Sequence, residues 1–573
     1  MGFFHTSAFA DDSAYGLHPD DAPVFQHTLD QYCSASNARI NFHKSNFVSL
    51  QPDEPVPQWV SDMHLRVHDP RTPFRVLGFD LVFSSDGVQE DWDALYHRLT
   101  SLASSLLQRN VSLQGRVLLV NMLLTSRLTY KFRLSSPSGY QLQRFNKLAW
   151  NVVWNNHVAL APAQLIGRRH RMDGGLGFLS VSAMAYALQA QWLARAMTRD
   201  TLWSPILNYI LQQIPGCQFA VATHWNIARL RQVPFAWRFI FEAWNKLLPH
   251  WDPDLSHWSV DDAFNFVLPS THSTHSPLGI SLGQVLVIDP ATQRLALLSD
   301  AQLRTHFRHA APARVCKAVQ ALRVPSAFIG YHLLTFLLSL PSPPPLPSSY
   351  SSASLLLFTH LLVADVPAGL LTTAVARRFL DVQAGVSSAL DWNQRAISCL
   401  ALPPPDIWTR LWHSPSLPAQ HTTWYRLLLN SLPLGARIEY FAPDDVFCHF
   451  CPGVVQTTRH FIFSCPLAQQ VWHDFSRLFS LSTSVSLRQA LYSWPSSCAA
   501  HLGRAYGYQL QAGHAVAVHT LWYVATLARL HDRCATCIST SRLFLTRLRQ
   551  HFTTLQTSSR WGPRIDPLPL SLC

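Results

Sequence analysis

The stretch Cys448-His449-Phe450-Cys451-Pro452-Gly453-Val454-Val455-Gln456-Thr457-Thr458-Arg459-His460-Phe461-Ile462-Phe463-Ser464-Cys465 has the pattern Cys-x2-Cys-x8-His-x4-Cys. Two cysteines separated by two residues make a knuckle, and a following His-x4-Cys pair can close a tetrahedron from a turn or a helix. Soft thiolate and imidazole donors in that arrangement suit Zn2+. A site with four protein ligands is closed, hence structural rather than catalytic. Cys448, Cys451, His460 and Cys465 are the expected zinc ligands. His449 is a rival, poorly placed beside Cys448, and free thiols are the competing reading.

The flanks are aromatic. Trp408, Trp412, Trp424-Tyr425-Arg426-Leu427 and Leu432-Pro433-Leu434 precede the cluster, and Trp472 follows it. They read as core anchors packed on the metal knuckle, with base stacking as the other option. Cys534-Ala535-Thr536-Cys537 has no matching downstream pair and reads as structural. Eleven cysteines, an odd number scattered over 573 residues, point to reduced thiols plus metal ligands and not to a disulfide framework.

The length suggests several domains, and 48% hydrophobic residues exclude general disorder. Charged residues are only 14%, against about 25% in ordinary soluble domains. The net charge of +12 is unevenly placed. Residues 1–93 hold 14 acidic and 5 basic side chains, a net of −9. Residues 94–172 hold no Asp or Glu and 11 basic side chains. An acid-free basic block points to a polyanion-binding face, nucleic acid first; a solvated Arg-rich helical surface is the alternative. No secretory signal is seen at the start. The run Leu355–Ala376 approaches membrane-span length, but His360, Asp365 and Pro367 interrupt it. It reads as a buried helix pair, and no membrane contact is expected.

The periodicity predicts a strand–turn–strand at the start, with Asp11-Asp12 at its tip, and a helix over 23–36. Short β-like runs follow at Arg39–Phe42, Phe47–Leu50 and Phe74–Phe83. From Trp92 the period turns helical. Leu95, Leu99, Leu102 and Leu106 form one stripe; Val117, Val120, Leu124 and Leu128 form the inward face of a helix over Gln114–Tyr130. Further helices are expected over 140–154, 181–197, 234–248 and 514–531. Strand-like runs lie at 284–288 and 294–298. The Pro/Ser-rich run after Pro341 reads as an extended linker.

Two adjacent carboxylates between apolar residues, Phe9-Ala10-Asp11-Asp12, call for a cation, and Mg2+ suits hard oxygen donors. A solvated turn is the plainer reading of the dipeptide alone. In order along the chain, this aromatic-Ala-Asp-Asp box, Ser36-Asn37-Ala38-Arg39-Ile40-Asn41-Phe42-His43-Lys44, Arg75-Val76-Leu77-Gly78-Phe79, Ser112-Leu113-Gln114-Gly115-Arg116 and Gly174-Gly175-Leu176-Gly177 resemble five boxes of the reverse transcriptases of LINE-type (non-LTR) retrotransposons. Val76 stands where an aromatic residue is usual. The region around the Cys/His cluster resembles the zinc-binding domain at the C-terminus of plant and fungal members, and the helix with Leu521-Trp522-Tyr523 its trailing helix.

The resemblance implies a mainly α fold with a small α+β part. Its expected segments are a partial palm (β-hairpin plus helix) at 1–90 and an α-helical thumb at 91–200. A helical connector follows at 201–340, then a linker with apolar helices at 341–404. A small zinc-binding domain at 405–480 and a helical tail at 481–573 complete the chain. It implies two-metal nucleotidyl transfer, in which the metals lower the pKa of the primer hydroxyl and stabilise the pentavalent phosphate. Asp11 and Asp12 would hold Mg2+, and Lys44 would lie near the triphosphate, unless it is a surface lysine closing a strand. RNA template and DNA primer are the implied partners, and an intracellular location, cytoplasm and nucleus, is what the family implies. A thumb contacts duplex phosphates, and Arg109, Arg116, Arg127, Lys131 and Arg133 are the candidates. The family's palm also needs a third carboxylate and fingers upstream of the Asp-Asp box, where only eight residues precede Phe9. The expectation is therefore a truncated polymerase, inactive alone. The alternative is a non-catalytic nucleic-acid-binding or assembly module.

Overall fold

The computed structural model describes residues 5–9, 12–41, 44–49, 55–69, 72–76, 78–84, 87–133, 135, 137–157, 167, 174–197, 203–212, 233–247, 255–268, 280–309, 312–324, 328–341, 361–363, 365–383, 404, 406–440, 442–481, 483–494, 504–531, 535–558 and 561. Helices dominate them, and the strands are few and short. The chain forms two compact units, neither continuous in sequence. One contains residues 1–98, 129–141 and 185–376, the other 99–128, 142–184 and 377–573. The segment 91–200, read as one thumb, contributes to both.

In the first unit, strands His5–Phe9 and Asp12–Gly16 pair antiparallel, Phe9 opposite Asp12. Asp12 thus opens the second strand instead of sitting in the turn. The helix Ala22–Ser36 ends at Asn37, whose φ of 55° is left-handed, a conformation asparagine tolerates. Residues Arg39–Asn41 form no strand, unlike the expected β run. Strand Asn46–Val48 instead pairs in parallel with Arg66–His68. The expected run Phe74–Phe83 is a hairpin, strand Phe74–Val76 against Phe79–Ser84, extended by Gly87–Glu90. Gly78 makes the break: its φ of 82° is one that a side chain disfavours.

Further along, helices Trp203–Gln212 and Phe235–Leu247 bury Leu207, Phe241 and Trp244. Strands Leu286–Asp289 and Arg294–Leu297 form a hairpin close to the expected positions. Helices Asp300–His306, Pro312–Leu322 and Phe328–Leu338 follow. Within the run read as a helix pair, residues 361–363 and 365–367 are not helical. Leu362–Val363 pairs with Val366–Pro367 across Asp365, whose φ is 63°. Pro367 ends the second strand, and a single 3-10 turn, Ala368–Leu370, follows it. A helix, Thr373–Gln383, begins only afterwards. Among the described residues no helix is long and apolar enough to cross a membrane.

In the second unit, Leu113–Leu119, a wide π-helical turn Val120–Thr125 and Ser126–Lys131 form a continuous helical run, whose last residues, 129–131, belong to the first unit. The side chains expected to face inward, Val117, Val120, Leu124 and Leu128, are all buried. Ser112 caps the run, its hydroxyl accepting from the N–H of Gly115 at 3.2 Å. The helix Gly139–Trp154 buries Leu142, Phe145, Ala149 and Val153 at helical spacing. The C-terminal helices include Ile407–His413, Pro418–Leu428, Pro466–Leu478, Arg504–His531 and Cys537–Gln556. Pro418 and Pro466 stand at helix starts, where a missing N–H leaves no bond unmade.

Candidate metal centre

The knuckle is built by local hydrogen bonds. Phe447 and Val455 form an antiparallel bridge. Inside it, the N–H of Cys448 donates to Val454 at 2.8 Å, and that of Cys451 donates back to Cys448 at 3.2 Å. Gly453, at a φ of 73°, makes the return. The loop is pinned from below by Gly435. A Cβ there would meet the Val446 carbonyl oxygen at 2.0 Å, so only glycine fits.

The other two ligands come from one wide turn. His460–Ser464 is π-helical, and the N–H of Cys465 donates to the His460 carbonyl at 2.8 Å. That i to i+5 bond is why four intervening residues bring His460 and Cys465 side by side; an α-turn would put them on different faces. Cys465 then caps the helix Pro466–Leu478, and the Trp472 indole N–H donates to the Ile462 carbonyl at 2.7 Å, fixing helix to turn.

One donor atom each from Cys448, Cys451, His460 and Cys465 lies within 4.8 Å of the others. The Sγ atoms of Cys451 and Cys465 are 3.9 Å apart. His449 is exposed and outside the group. The Cys448 thiol is pulled down to about 5, chiefly by the hydrogen bond from Cys465. The same bond pushes the Cys465 thiol up, and burial raises that of Cys451. Three thiolates this close would repel one another, and a divalent cation offsets that repulsion. The Nε2 of His460 is buried with no hydrogen-bond partner. An unpaired buried nitrogen costs about 1–3 kcal/mol, and ligation through it would remove that cost. Three sulfurs and an imidazole nitrogen in a largely buried site fit a structural Zn2+.

The tryptophans lie in the core. Trp408, Trp424 and Trp472 are buried, and the Trp424 indole donates to the Leu491 carbonyl at 3.1 Å. His514 is packed between Trp424 and Trp472, with ring centroids 4.7 and 5.7 Å away. Burial lowers His514 to about 4, so it is neutral, with Nε2–H donating to the Ala490 carbonyl at 2.9 Å. The Gly174 turn also belongs to this core. The Tyr425 hydroxyl donates to the Gly174 carbonyl at 2.7 Å, and a Cβ at Gly174 would meet the Trp408 ring at 2.6 Å. Neither His514 nor the Gly174 contact was legible in the sequence, because each joins segments far apart in the chain.

The other expected site residues are scattered. Asp11 lies outside the described residues, as does Cys534, and of Asp12 only the strand position is described. Lys44 is an exposed turn residue. Arg109, Arg127 and Arg133 are exposed, and Arg116 is half-buried. Lys131 departs from the expectation of a phosphate contact. It is buried, its ammonium 2.5 Å from Glu90 and 2.6 Å from the Gly78 carbonyl. Burial raises Glu90, and Lys131 opposes that rise. Lys131 is thus the internal counter-ion of the only acid buried beside it among the described residues.

The profile of a protein family described as zinc-binding in reverse transcriptase matches residues 392–472. The match contains all four ligands and relates the chain to reverse transcriptases through this segment. No curated protein sequence matches the chain.

Proposed function

We propose that the chain is the template–primer-binding and zinc-containing portion of a LINE-type reverse transcriptase. The observation that carries the reading is the Cys448/Cys451/His460/Cys465 cluster inside the matched segment. The five ordered boxes from Phe9 to Gly177 extend it to the LINE type. Zn2+ would be structural, holding the knuckle to the helix Pro466–Leu478. Asp11 and Asp12 would carry Mg2+, and Lys44 would serve the triphosphate. Two-metal transfer needs a further carboxylate that none of these boxes supplies. Primer extension then requires a palm and fingers fragment, and the chain alone contributes binding.

The exposed Arg109, Arg127 and Arg133 and the half-buried Arg116 are each candidate phosphate contacts of this reading. The test is binding of an RNA–DNA duplex across a salt series. The affinity should fall linearly on logarithmic axes, with a slope of about −0.9 per phosphate neutralised for a B-form duplex. A flat line would reject the binding role. Extension by the chain alone would reject its dependence on a second fragment. Salt-dependent binding with no extension after adding a fingers–palm fragment would favour the assembly-module reading.

A further inference from the structure

Three arginines of the second unit converge with little opposing charge. Arg116 lies on helix Leu113–Leu119, Arg426 on Pro418–Leu428 and Arg529 near the end of Arg504–His531. The second of these helices packs on both of the others. Arg426 donates through Nη2 to the Ser431 carbonyl at 3.1 Å, and Arg529 donates through Nη1 to that of Pro433. Both guanidinium groups therefore rest on one short loop. Each also faces an indole, Arg426 over Trp154 at 5.6 Å and Arg529 over Trp522 at 5.9 Å.

The cluster is under-compensated. The Nε atoms of Arg116 and Arg426 are buried without a hydrogen-bond partner. Burial, followed by the like charges of Arg116 and Arg529, lowers Arg426 to about 10. Asp445 is the carboxylate acting on Arg529, and the block that supplies Arg116 has no acid at all. Stacking on tryptophan accounts for two of the side chains but not for bringing three cations together with donors unused.

We propose that Arg116, Arg426 and Arg529 form a binding site for a phosphate group. A phosphate offers several acceptor oxygens and the missing negative charge, and planar guanidinium forks match its geometry. The site joins the basic block to the zinc-binding segment within one unit. It does not depend on polymerase chemistry, because a free phosphate and a nucleic-acid backbone present the same group.

The test uses the full zinc-loaded chain. Thermal unfolding is followed with rising sodium phosphate and with sodium chloride at equal ionic strength. A saturable upward shift in Tm with phosphate alone is expected. Arg116→Gln should weaken the apparent phosphate affinity at least tenfold with its zinc content intact. Arg116→Lys, which keeps the charge but not the fork, should fall between the two and serves if the glutamine variant fails to load zinc. Equal shifts in both salts, or a variant that responds like the parent, would overturn the proposal. Pyrophosphate then separates the sources. Competition with an RNA–DNA duplex in the parent only assigns the site to a backbone phosphate; saturable binding beside bound duplex assigns it to a free anion.

Discussion

The candidate metal centre and the N-terminal hairpins are built in opposite ways. The centre draws all four ligands from one short stretch, and local backbone bonds place each one. The N-terminal strands form separate small sheets among the described residues: the hairpin His5–Gly16, the parallel pair at 46–48 and 66–68, and the sheet at 74–90. Closing a short loop costs little entropy, so a local site is specified by its own spacing. A site assembled from distant strands is specified by everything between them. Local order should therefore collapse when the metal is removed, while the first unit stays folded.

That is the largest effect expected. Structural zinc contributes on the order of 10 kcal/mol in small zinc domains. Chelation, or Cys448→Ser, should abolish the bound metal and the amide protection of Pro466–Leu478. The hairpin Leu286–Leu297, in the other unit, should keep its protection. Hydrogen exchange with metal analysis reads both. Full metal content in Cys448→Ser would break the comparison at its root.

The first unit has its own staple, and it is electrostatic. Lys131→Met should leave the Glu90 carboxylate buried and uncompensated, at a cost of about 3–5 kcal/mol. The loss should appear in unfolding of the first unit, with zinc content unchanged. A smaller loss in the double variant Lys131→Met/Glu90→Gln would confirm that the penalty is the stranded charge. An additive loss would show that packing of the lysine stem is what matters.

The contrast also shows what a sequence can carry. The spacing of Cys448, Cys451, His460 and Cys465 was legible because each ligand lies within one turn of another backbone constraint. Helix faces such as Val117-Val120-Leu124-Leu128 were legible because their periodicity is local. The fate of Lys131 was not. It sits in a basic block, and only tertiary contact with Glu90, 41 residues earlier, turns it inward. The break at Gly78 was hidden for a similar reason: an apolar run reads as one strand until a left-handed glycine divides it. The division of 91–200 between two units has no local signature either, since it follows from which faces meet across long gaps.

Buried histidines give the second unit a pH limit that the first does not show among its described residues. His514 and His519 are both lowered to about 4, mainly by burial. Their unfolded value is about 6.5. Their neutral forms support folding fully above that value, and the support is lost as pH falls from about 6.5 toward 4. Between pH 7 and 5 each should remove about 2 kcal/mol of stability. Zinc ligands also take up protons in this range, so the informative quantity is a difference. His514→Gln keeps a donor for the Ala490 carbonyl and should show a shallower acid loss than the parent in thermal unfolding. Parallel curves would move the pH dependence onto the metal ligands.

The smallest effect separates surface charge from internal charge within the basic block itself. Arg127 is exposed, whereas Lys131, one helical turn later, is committed to Glu90. Arg127→Ala should change stability by no more than about 0.5 kcal/mol, because it removes no buried contact. If Arg127 meets a phosphate, the same change should reduce the salt slope of duplex binding by about 1. Lys131→Met should do the reverse, with a large loss of stability and, in whatever chain remains folded, an unchanged slope. Measured together, the two variants ask whether +11 over residues 94–172 is one binding surface or a mixture of surface contacts and internal counter-ions. Equal slopes for Arg127→Ala and the parent would remove that arginine from the surface, and with it the simplest reading of the acid-free block.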